Sequence, residues 1–272
     1  MPELPEVESV RLELENHLPE QVLQKIKFSG KSCLLSKDSL KPEILEGRAV
    51  KKIQRKGKYL LWDWGEFYLL CHLGMSGMFL WNPTKTNPHD HFVLDFLNGR
   101  LVYRDPRRFG YFRIAPVASS LERWDNLGPD ALNAKWKSGV LYHRLQKTSR
   151  PIKDVIMDQK IIAGVGNIYA SEALFLAHIH PARPANSLTA FEAQNLLKQT
   201  RGVLRKSLRM RGTTFSDYRL TNGKAGGMQE FLKVFQKEGE VCPECSGTIC
   251  KIIQSQRSTF LCTNCQKNAF SI

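Results

Sequence analysis

The order of apolar and polar positions predicts a short helix followed by a β-rich region. Apolar side chains recur at helical spacing over roughly residues 4–18 and predict an amphipathic helix there. Its apolar face would consist of Val7, Val10, Leu14 and Leu18. From about residue 20 to about residue 115, short apolar runs are separated by glycine, proline and asparagine, which is typical of strands joined by turns. This spacing predicts a sandwich or a barrel.

The second half of the chain has helical patterns. Alanine, serine, proline and glycine become frequent between about residues 116 and 135, and helical periodicity follows. Thr189 and Glu192 have the spacing of a capping box and predict the start of a long helix that ends near Met210. Residues 212–230 are rich in glycine, threonine, asparagine and lysine and predict a mobile loop.

The charge balance favours a polyanionic partner. Forty Lys and Arg residues against 26 Asp and Glu residues give a formal net charge of +14. A basic surface binds nucleic acid by releasing counterions from phosphates, although a protein that is merely basic stays an alternative. The sequence contains no run of 18 apolar residues, so it predicts no membrane helix, and its acidic start is unlike a signal peptide. We therefore expect a reducing compartment, where structural disulfides are uncommon.

Four of the seven cysteines form two C-x-x-C pairs separated by sixteen residues. They are Cys242, Cys245, Cys262 and Cys265. This spacing predicts a closed tetrahedral site for one structural Zn²⁺, with no open position for catalysis. The residues between the pairs predict a hairpin whose tip offers Arg257 to a phosphate. The other cysteines, Cys33, Cys71 and Cys250, are interpreted as ordinary small apolar side chains.

The first residues allow two interpretations. Proline at position 2 permits removal of Met1, which would leave a secondary amine at the chain terminus. Such amines are neutral at lower pH than lysine and can attack a sugar carbon to form an iminium. Glu3 and Glu6 could then move protons and orient the amine. Helix capping explains the same residues without any function, and the residues alone favour that simpler interpretation.

The start of the chain, MPELPEVE, resembles that of the formamidopyrimidine-DNA glycosylase family, also called 8-oxoguanine DNA glycosylases. The resemblance continues through RKGKYL at 55–60, HLGMSG at 72–77, DPRRFG at 105–110, GVGNIYA at 164–170 and the cysteine pairs. It therefore covers essentially the whole chain. It implies a bifunctional glycosylase and AP lyase that removes oxidised purines and cuts the abasic strand by β,δ-elimination.

The resemblance implies an α+β fold: an N-terminal β-sandwich with flanking helices, then a C-terminal helix-two-turn-helix domain with a four-cysteine zinc finger. We expect a catalytic domain over residues 1–115, a linker over 116–134, the helical domain with a lesion-covering loop over 135–230, and the finger over 231–272. DNA would lie between the two domains.

The family's residues can be carried over only where its motifs match. Catalysis would use Pro2 as the nucleophile, Glu3 as the proton donor and Lys58 beside a phosphate, whereas the basic run around Lys58 alone would favour a solvated lysine. Glu6 would orient the amine.

Three further residues would fill the space left by a flipped base: Met75, Arg107 and Phe109. An apolar wedge and an aromatic ring restore stacking, while a guanidinium can pair with the opposite cytosine. The pattern alone would instead place Met75 and Phe109 in a sheet core.

The remaining residue roles that the resemblance implies are contacts with DNA. The resemblance assigns phosphates to Asn167, at a glycine-rich turn that enters a helix, and to Arg257. It assigns a further DNA contact to His91, for which a plain surface histidine is the alternative, and oxidised-purine recognition to Lys153.

The chain departs from the family pattern at one loop, and three other functions are alternatives. The loop carries Gly226, Gly227 and Met228 where the family often has an aromatic residue, so its base contacts are open. Leu4, together with the run Arg107, Arg108 and Phe109, argues against the related endonuclease VIII type, which prefers oxidised pyrimidines. A non-catalytic zinc-finger protein gives no reason for Pro2, Glu3 and Lys58 to occur together, and a zinc nuclease lacks an open metal site.

The expected partner is double-stranded DNA that contains oxidised bases or abasic sites. We expect no membrane partner, a monomer, and a bacterial cytoplasmic location at the nucleoid.

Overall fold

The computed structural model describes residues 1–30, 34–215 and 218–267. Contacts divide the chain into two compact units. The first unit consists of residues 1–126 and 207–229, and the second of residues 127–206 and 230–272. Among the described residues, no helix combines the length and the apolar character that a bilayer span requires.

The first unit begins with helix α1 (Leu4–Glu15), and two four-stranded antiparallel sheets follow. The strands are β1 (Leu23–Phe28), β2 (Lys52–Lys56), β3 (Tyr59–Asp63), β4 (Phe67–His72), β5 (Met78–Trp81), β6 (Asp90–Phe96), β7 (Gly99–Arg104) and β8 (Tyr111–Pro116). One sheet has the order β1-β6-β7-β5 and the other β2-β3-β4-β8. A short helix α2 (Glu122–Asp125) ends the first stretch of this unit.

The two sheets and α1 share one apolar core, which confirms the predicted sandwich and its helix. Aromatic rings join the sheets, because Trp62 of β3 lies 5.4 Å from Phe79 of β5, and Phe92 of β6 lies 4.5 Å from Phe112 of β8, between ring centroids. Such ring pairs bury large areas and fix the spacing of the sheets. Helix α1 ends earlier than predicted, at Glu15.

Residues 207–229 differ from the sequence-based grouping, which assigned them to the helical domain. They belong to the first unit because α1 binds them with two carboxylates. Glu6 accepts a hydrogen bond from Thr213 N at 2.7 Å, and Glu13 accepts from Thr221 N and Oγ1, both at 2.6 Å. Contacts over such sequence distances leave no local pattern.

The second unit contains helices α3 (Ser138–Leu145), α4 (Ile152–Met157), α5 (Asn167–Leu176) and most of α6 (Ala190–Arg209), followed by the hairpin strands β9 (Ile249–Gln254) and β10 (Arg257–Cys262). The predicted capping box at the start of α6 is present, with Glu192 N donating to Thr189 Oγ1 at 3.2 Å and Thr189 N to Glu192 Oε2 at 2.8 Å.

A buried carboxylate joins α5 to the segment before the hairpin. Glu172 accepts hydrogen bonds from three successive backbone amides, Lys233 N at 2.8 Å, Val234 N at 2.9 Å and Phe235 N at 2.9 Å. These bonds compensate a carboxylate that burial would otherwise make costly. Burial still dominates and raises the pKa of Glu172.

Candidate functional site

The N-terminus is held by buried acidic side chains. Glu3 is the N-cap of α1, and its backbone N–H donates to Glu6 Oε2 at 2.8 Å. Both carboxylates are almost fully buried, and Pro2 is buried beside them. The other oxygen of Glu6 accepts the hydrogen bond from Thr213 N. The hydrogen bonds that cap α1 therefore also fix the position of the chain terminus.

Lys58 lies in the tight turn between β2 and β3, directly after Gly57, whose φ is +60°. The lysine is buried. Its positive charge acts on His72, together with that of the chain's amino terminus. Burial first, and then these charges, lower the pKa of His72 to about 4. The neutral imidazole accepts a hydrogen bond from Gly74 N at its Nδ1, at 3.0 Å.

His72 was missed as a site residue by the sequence analysis, although it lies within the quoted HLGMSG segment. Burial is the main reason why His72 stays uncharged, and the positive charges of Lys58, Arg123 and the amino terminus act in the same direction. Such surroundings suit a negatively charged ligand.

The side chains of Met75, Arg107 and Phe109 are exposed, so the alternative of a sheet core is wrong for the first and the last of them. Met75 is 37% exposed and Phe109 is 55% exposed. The Arg107 guanidinium lies 4.9 Å from the centroid of the Phe109 ring. Met75 lies in the loop at residues 73–77, and the other two lie in the loop at 105–110. The two loops touch at Gly74, where a Cβ atom would lie 2.4 Å from the Phe109 backbone carbon. Only glycine permits this approach.

A buried aspartate organises the same two loops, and sequence reasoning did not single it out. Asp105 accepts hydrogen bonds from Ser76 Oγ at 2.5 Å, Gly110 N at 2.9 Å and Arg107 N at 3.2 Å. Hydrogen bonds from neutral donors to a charged carboxylate are stronger than ordinary ones, so these three hold the loops in place. The only local sign was its place in DPRRFG.

His91 is buried, which contradicts the alternative of a surface histidine. Its Nδ1 lies 3.0 Å from Ser29 Oγ, and its Nε2 lies 3.0 Å from the Asp105 carbonyl oxygen. Both ring nitrogens therefore have protein partners, and the side chain supports the Asp105 loop.

In the second unit, Lys153 and Asn167 form one hydrogen-bonded network. Lys153 is 1% exposed, and its Nζ donates to Asn167 Oδ1 at 2.5 Å and to Thr259 Oγ1 at 2.6 Å. Asn167 Nδ2 donates to the Ser258 carbonyl at 2.9 Å. The start of α5 and strand β10 are thereby joined through α4.

Arg257 is exposed at the tip of the β9–β10 hairpin. The two turn residues before it, Ser255 and Gln256, have φ values of +47° and +61°, as tight hairpin turns require. Ser255 Oγ also donates to Asp154 Oδ2 at 2.7 Å, which fixes the tip on α4. The predicted hairpin and the position of its arginine are confirmed.

The four predicted zinc ligands lie together. The sulfurs of Cys242, Cys245, Cys262 and Cys265 are all within 4.8 Å of one another. Opposite pairs are separated by 3.8 Å and 3.4 Å. A tetrahedral zinc ion about 2.3 Å from each thiolate requires sulfur separations of about 3.8 Å, so the donor set fits one zinc ion. Of the other cysteines, Cys71 is buried, Cys250 is partly exposed, and Cys33 lies outside the described residues.

Three family models match consecutive parts of the chain. They are the formamidopyrimidine-DNA glycosylase N-terminal domain at residues 1–112, the H2TH domain of the same enzymes at residues 127–219, and the zinc finger found in FPG and IleRS at residues 239–268.

Individual relatives agree over full length. A formamidopyrimidine-DNA glycosylase of Hydrogenovibrio crunogenus is 40% identical and is matched over 98% of this chain and 97% of that protein. Two solved Lactococcus lactis FPG structures cover 98% of this chain and 100% of their own. One is a variant bound to Fapy-dG-containing DNA, with a TM-score of 0.89 and 32% identity, and the other is bound to DNA with an abasic site, with a TM-score of 0.88 and 30% identity.

Fold, site and matches together define a zinc-finger DNA glycosylase. The chain belongs to the formamidopyrimidine-DNA glycosylase family, whose members act as glycosylases and AP lyases. The zinc ion is structural.

Replacing Cys245 by serine should lower the zinc content and weaken DNA binding on the order of tenfold or more, because the ribbon has little core of its own and positions Arg257. Zinc analysis and binding to lesion DNA measure both. The control Cys250→Ser changes the same ribbon outside the four-thiol cluster and should leave both unchanged. If Cys245→Ser bound lesion DNA like the unaltered protein and yet could not cleave it, the zinc would be catalytic and a structural role would be refuted.

Proposed function

We propose that this protein excises 8-oxoguanine and formamidopyrimidines from double-stranded DNA and then cuts the abasic strand by β,δ-elimination. The observation that carries the proposal is that Pro2 is buried beside Glu3, whose backbone N–H donates to the buried carboxylate of Glu6. The substrate class is supported by the solved relative in complex with Fapy-dG-containing DNA, and the second step by the relative with an abasic site.

The first step uses the secondary amine that Pro2 presents once Met1 has been removed. The amine nitrogen attacks C1′ of the damaged nucleotide, and the C1′–N bond to the base breaks. The base leaves with a proton, and opening of the sugar ring, with a proton delivered to its oxygen, gives an iminium between Pro2 and C1′. The cation acidifies the proton on C2′, so its removal expels the 3′ phosphate, and a second elimination expels the 5′ phosphate.

Glu3 is the proton donor for loss of the base and opening of the sugar. A carboxyl group next to the nucleophile can deliver a proton to the leaving atom and recover it later. Glu6 orients the terminus, because its carboxylate already accepts hydrogen bonds from Glu3 N and Thr213 N.

The phosphates are bound by cations and amides from both units. Lys58 holds a phosphate beside the lesion. Burial and then the charges of Lys58, Arg123 and the amino terminus lower the pKa of His72, and these charges favour an anion there. Asn167 and Arg257 hold phosphates elsewhere, and Lys153 keeps Asn167 in position through the bond between them. His91 acts on DNA through the loop that it supports.

The exposed group of Met75, Arg107 and Phe109 fills the space that a flipped nucleotide leaves. The wedge and the ring restore stacking, and the arginine pairs with the acceptor edge of the opposite cytosine. The guanidinium over the Phe109 ring keeps the planar donor group oriented for such a pair.

The enzyme acts as a monomer in the cytoplasm of a bacterium, at the nucleoid. The matched relatives, which are bacterial, support this location. We also propose the functional division expected from the sequence, in which residues 1–115 are the catalytic domain, 116–134 the linker, 135–230 the helical domain and 231–272 the finger. Within it, residues 207–229 pack in the first compact unit.

Glu3→Gln should reduce base excision from a duplex with one 8-oxoguanine by roughly 10²–10⁴-fold, the usual contribution of a general acid. Binding to the same duplex should stay within about twofold. Single-turnover excision and a binding titration measure the two quantities. Glu15→Gln makes the same change at the other end of α1 and should retain activity. Equal losses of binding and excision in Glu3→Gln would make Glu3 structural.

Arg107→Ala should reduce the preference of excision for cytosine over adenine opposite the lesion. A bidentate contact to a base contributes roughly 1–3 kcal/mol of discrimination. Excision rates on the two duplexes give this preference directly. The neighbouring Arg108→Ala serves as the control and should keep the preference. An unchanged preference in Arg107→Ala would contradict the assignment.

A further inference from the structure

Three rings lie side by side on one face of the β2-β3-β4-β8 sheet. Tyr59 pairs with His72 across β3 and β4, and His72 pairs with Tyr111 across β4 and β8. Directly paired residues of antiparallel strands point to the same face. The Tyr59 and His72 ring centroids are 4.7 Å apart. We call Tyr59, His72 and Tyr111 the ring ladder.

Arg123 of α2 lies on this ladder. Its guanidinium carbon is 3.8 Å from the centroid of the Tyr111 ring. Burial raises the pKa of the neighbouring Tyr59 hydroxyl, and the charge of Arg123 acts to lower it. The residue is nevertheless exposed. A stacked guanidinium has donors left along its edge, which is the geometry that binds phosphate oxygens in pairs.

The short helix that carries Arg123 is itself held in place. Lys56 Nζ donates to the Trp124 carbonyl at 3.3 Å. The Asp125 carboxylate accepts from Leu121 N at 2.8 Å and from Ser120 Oγ at 3.0 Å. Leu121 also packs in a small apolar cluster on the ladder face of the sheet. The arginine is therefore preorganised, which reduces the entropy lost when a ligand binds.

Three positive groups act on the ring ladder at His72. Within residues 1–30, 34–215 and 218–267, Arg123 makes no ion pair with a carboxylate. Burial is the largest cause of the lowered pKa of His72, and the next causes are the charges of Lys58, Arg123 and the amino terminus. Positive groups that converge without a neutralising acid on Arg123 favour an anionic ligand.

We propose that Arg123 binds a backbone phosphate of the DNA and extends the phosphate-binding surface outward from Lys58 along the ring ladder. This proposal rests on the proposed function, because it takes DNA as the anion. The competing explanation is that Arg123 only clamps α2 onto the sheet, in which case its charge contributes nothing to binding.

The salt dependence of DNA binding distinguishes the two explanations. The probe is a duplex with one tetrahydrofuran abasic analogue, which the enzyme cannot process. Arg123→Gln should lower the slope of log affinity against log salt by about one and weaken binding at low salt, since one phosphate contact is lost. Arg123→Lys keeps the charge and should keep most of the slope.

Arg48→Gln is the matched control. Arg48 also lies over an aromatic ring, 4.8 Å from the Phe67 centroid, but it pairs with Glu66 at 3.1 Å. Phe67 and His72 are at opposite ends of β4. The same substitution there removes the same charge away from the ladder, and its salt slope should equal that of the unaltered protein.

A scan with single methylphosphonates locates the contact. Each phosphate of the duplex is neutralised in turn by one methylphosphonate. At one position the substitution should weaken DNA binding by the unaltered protein and have no effect on DNA binding by Arg123→Gln. A slope for Arg123→Gln equal to that of Arg48→Gln, or an unchanged methylphosphonate pattern, would overturn the proposal. Failure of the unaltered protein to excise 8-oxoguanine would instead refute the proposed function, and the binding measurements would still stand.

Discussion

The hydrogen bonds of the Glu6 carboxylate are the constraint on which the proposed active site depends. One oxygen accepts from Glu3 N at 2.8 Å and the other from Thr213 N at 2.7 Å. A buried carboxylate without donors is very unfavourable, so these bonds fix both partners. The proposed reactive end of the chain and a segment more than 200 residues away are thereby held by one side chain.

The second unit follows the same principle with a buried cation. The Lys153 amine donates to Asn167 and Thr259, and Asn167 in turn donates to the Ser258 carbonyl. Zinc fixes the far end of the same hairpin through four thiolates. The proposed phosphate ligands, half-buried Asn167 and exposed Arg257, are therefore held on a frame of hydrogen bonds and zinc–thiolate bonds. Side chains that are already ordered bind phosphate more tightly, because they lose less conformational entropy on binding.

Local features of the site could be predicted from the sequence, and long-range ones could not. The helix after Glu3, the capping box at Thr189 and the four cysteines all have short characteristic spacings, and the structure confirms them. The packing of residues 207–229 on α1 depends on contacts between distant residues, for which a single sequence gives no period or motif. Burial of His91 was missed for the same reason, since its partners Ser29 and Asp105 come from other segments.

The most direct test of the account is borohydride trapping on a duplex with a single 8-oxoguanine opposite cytosine. Borohydride reduces the iminium to a stable amine, so the protein becomes covalently attached to the DNA. Peptide mapping of the adduct should find the DNA on a chain that begins at Pro2 and lacks Met1. Attachment at a lysine, cleavage without any adduct, or full activity in protein that retains Met1 would contradict the account.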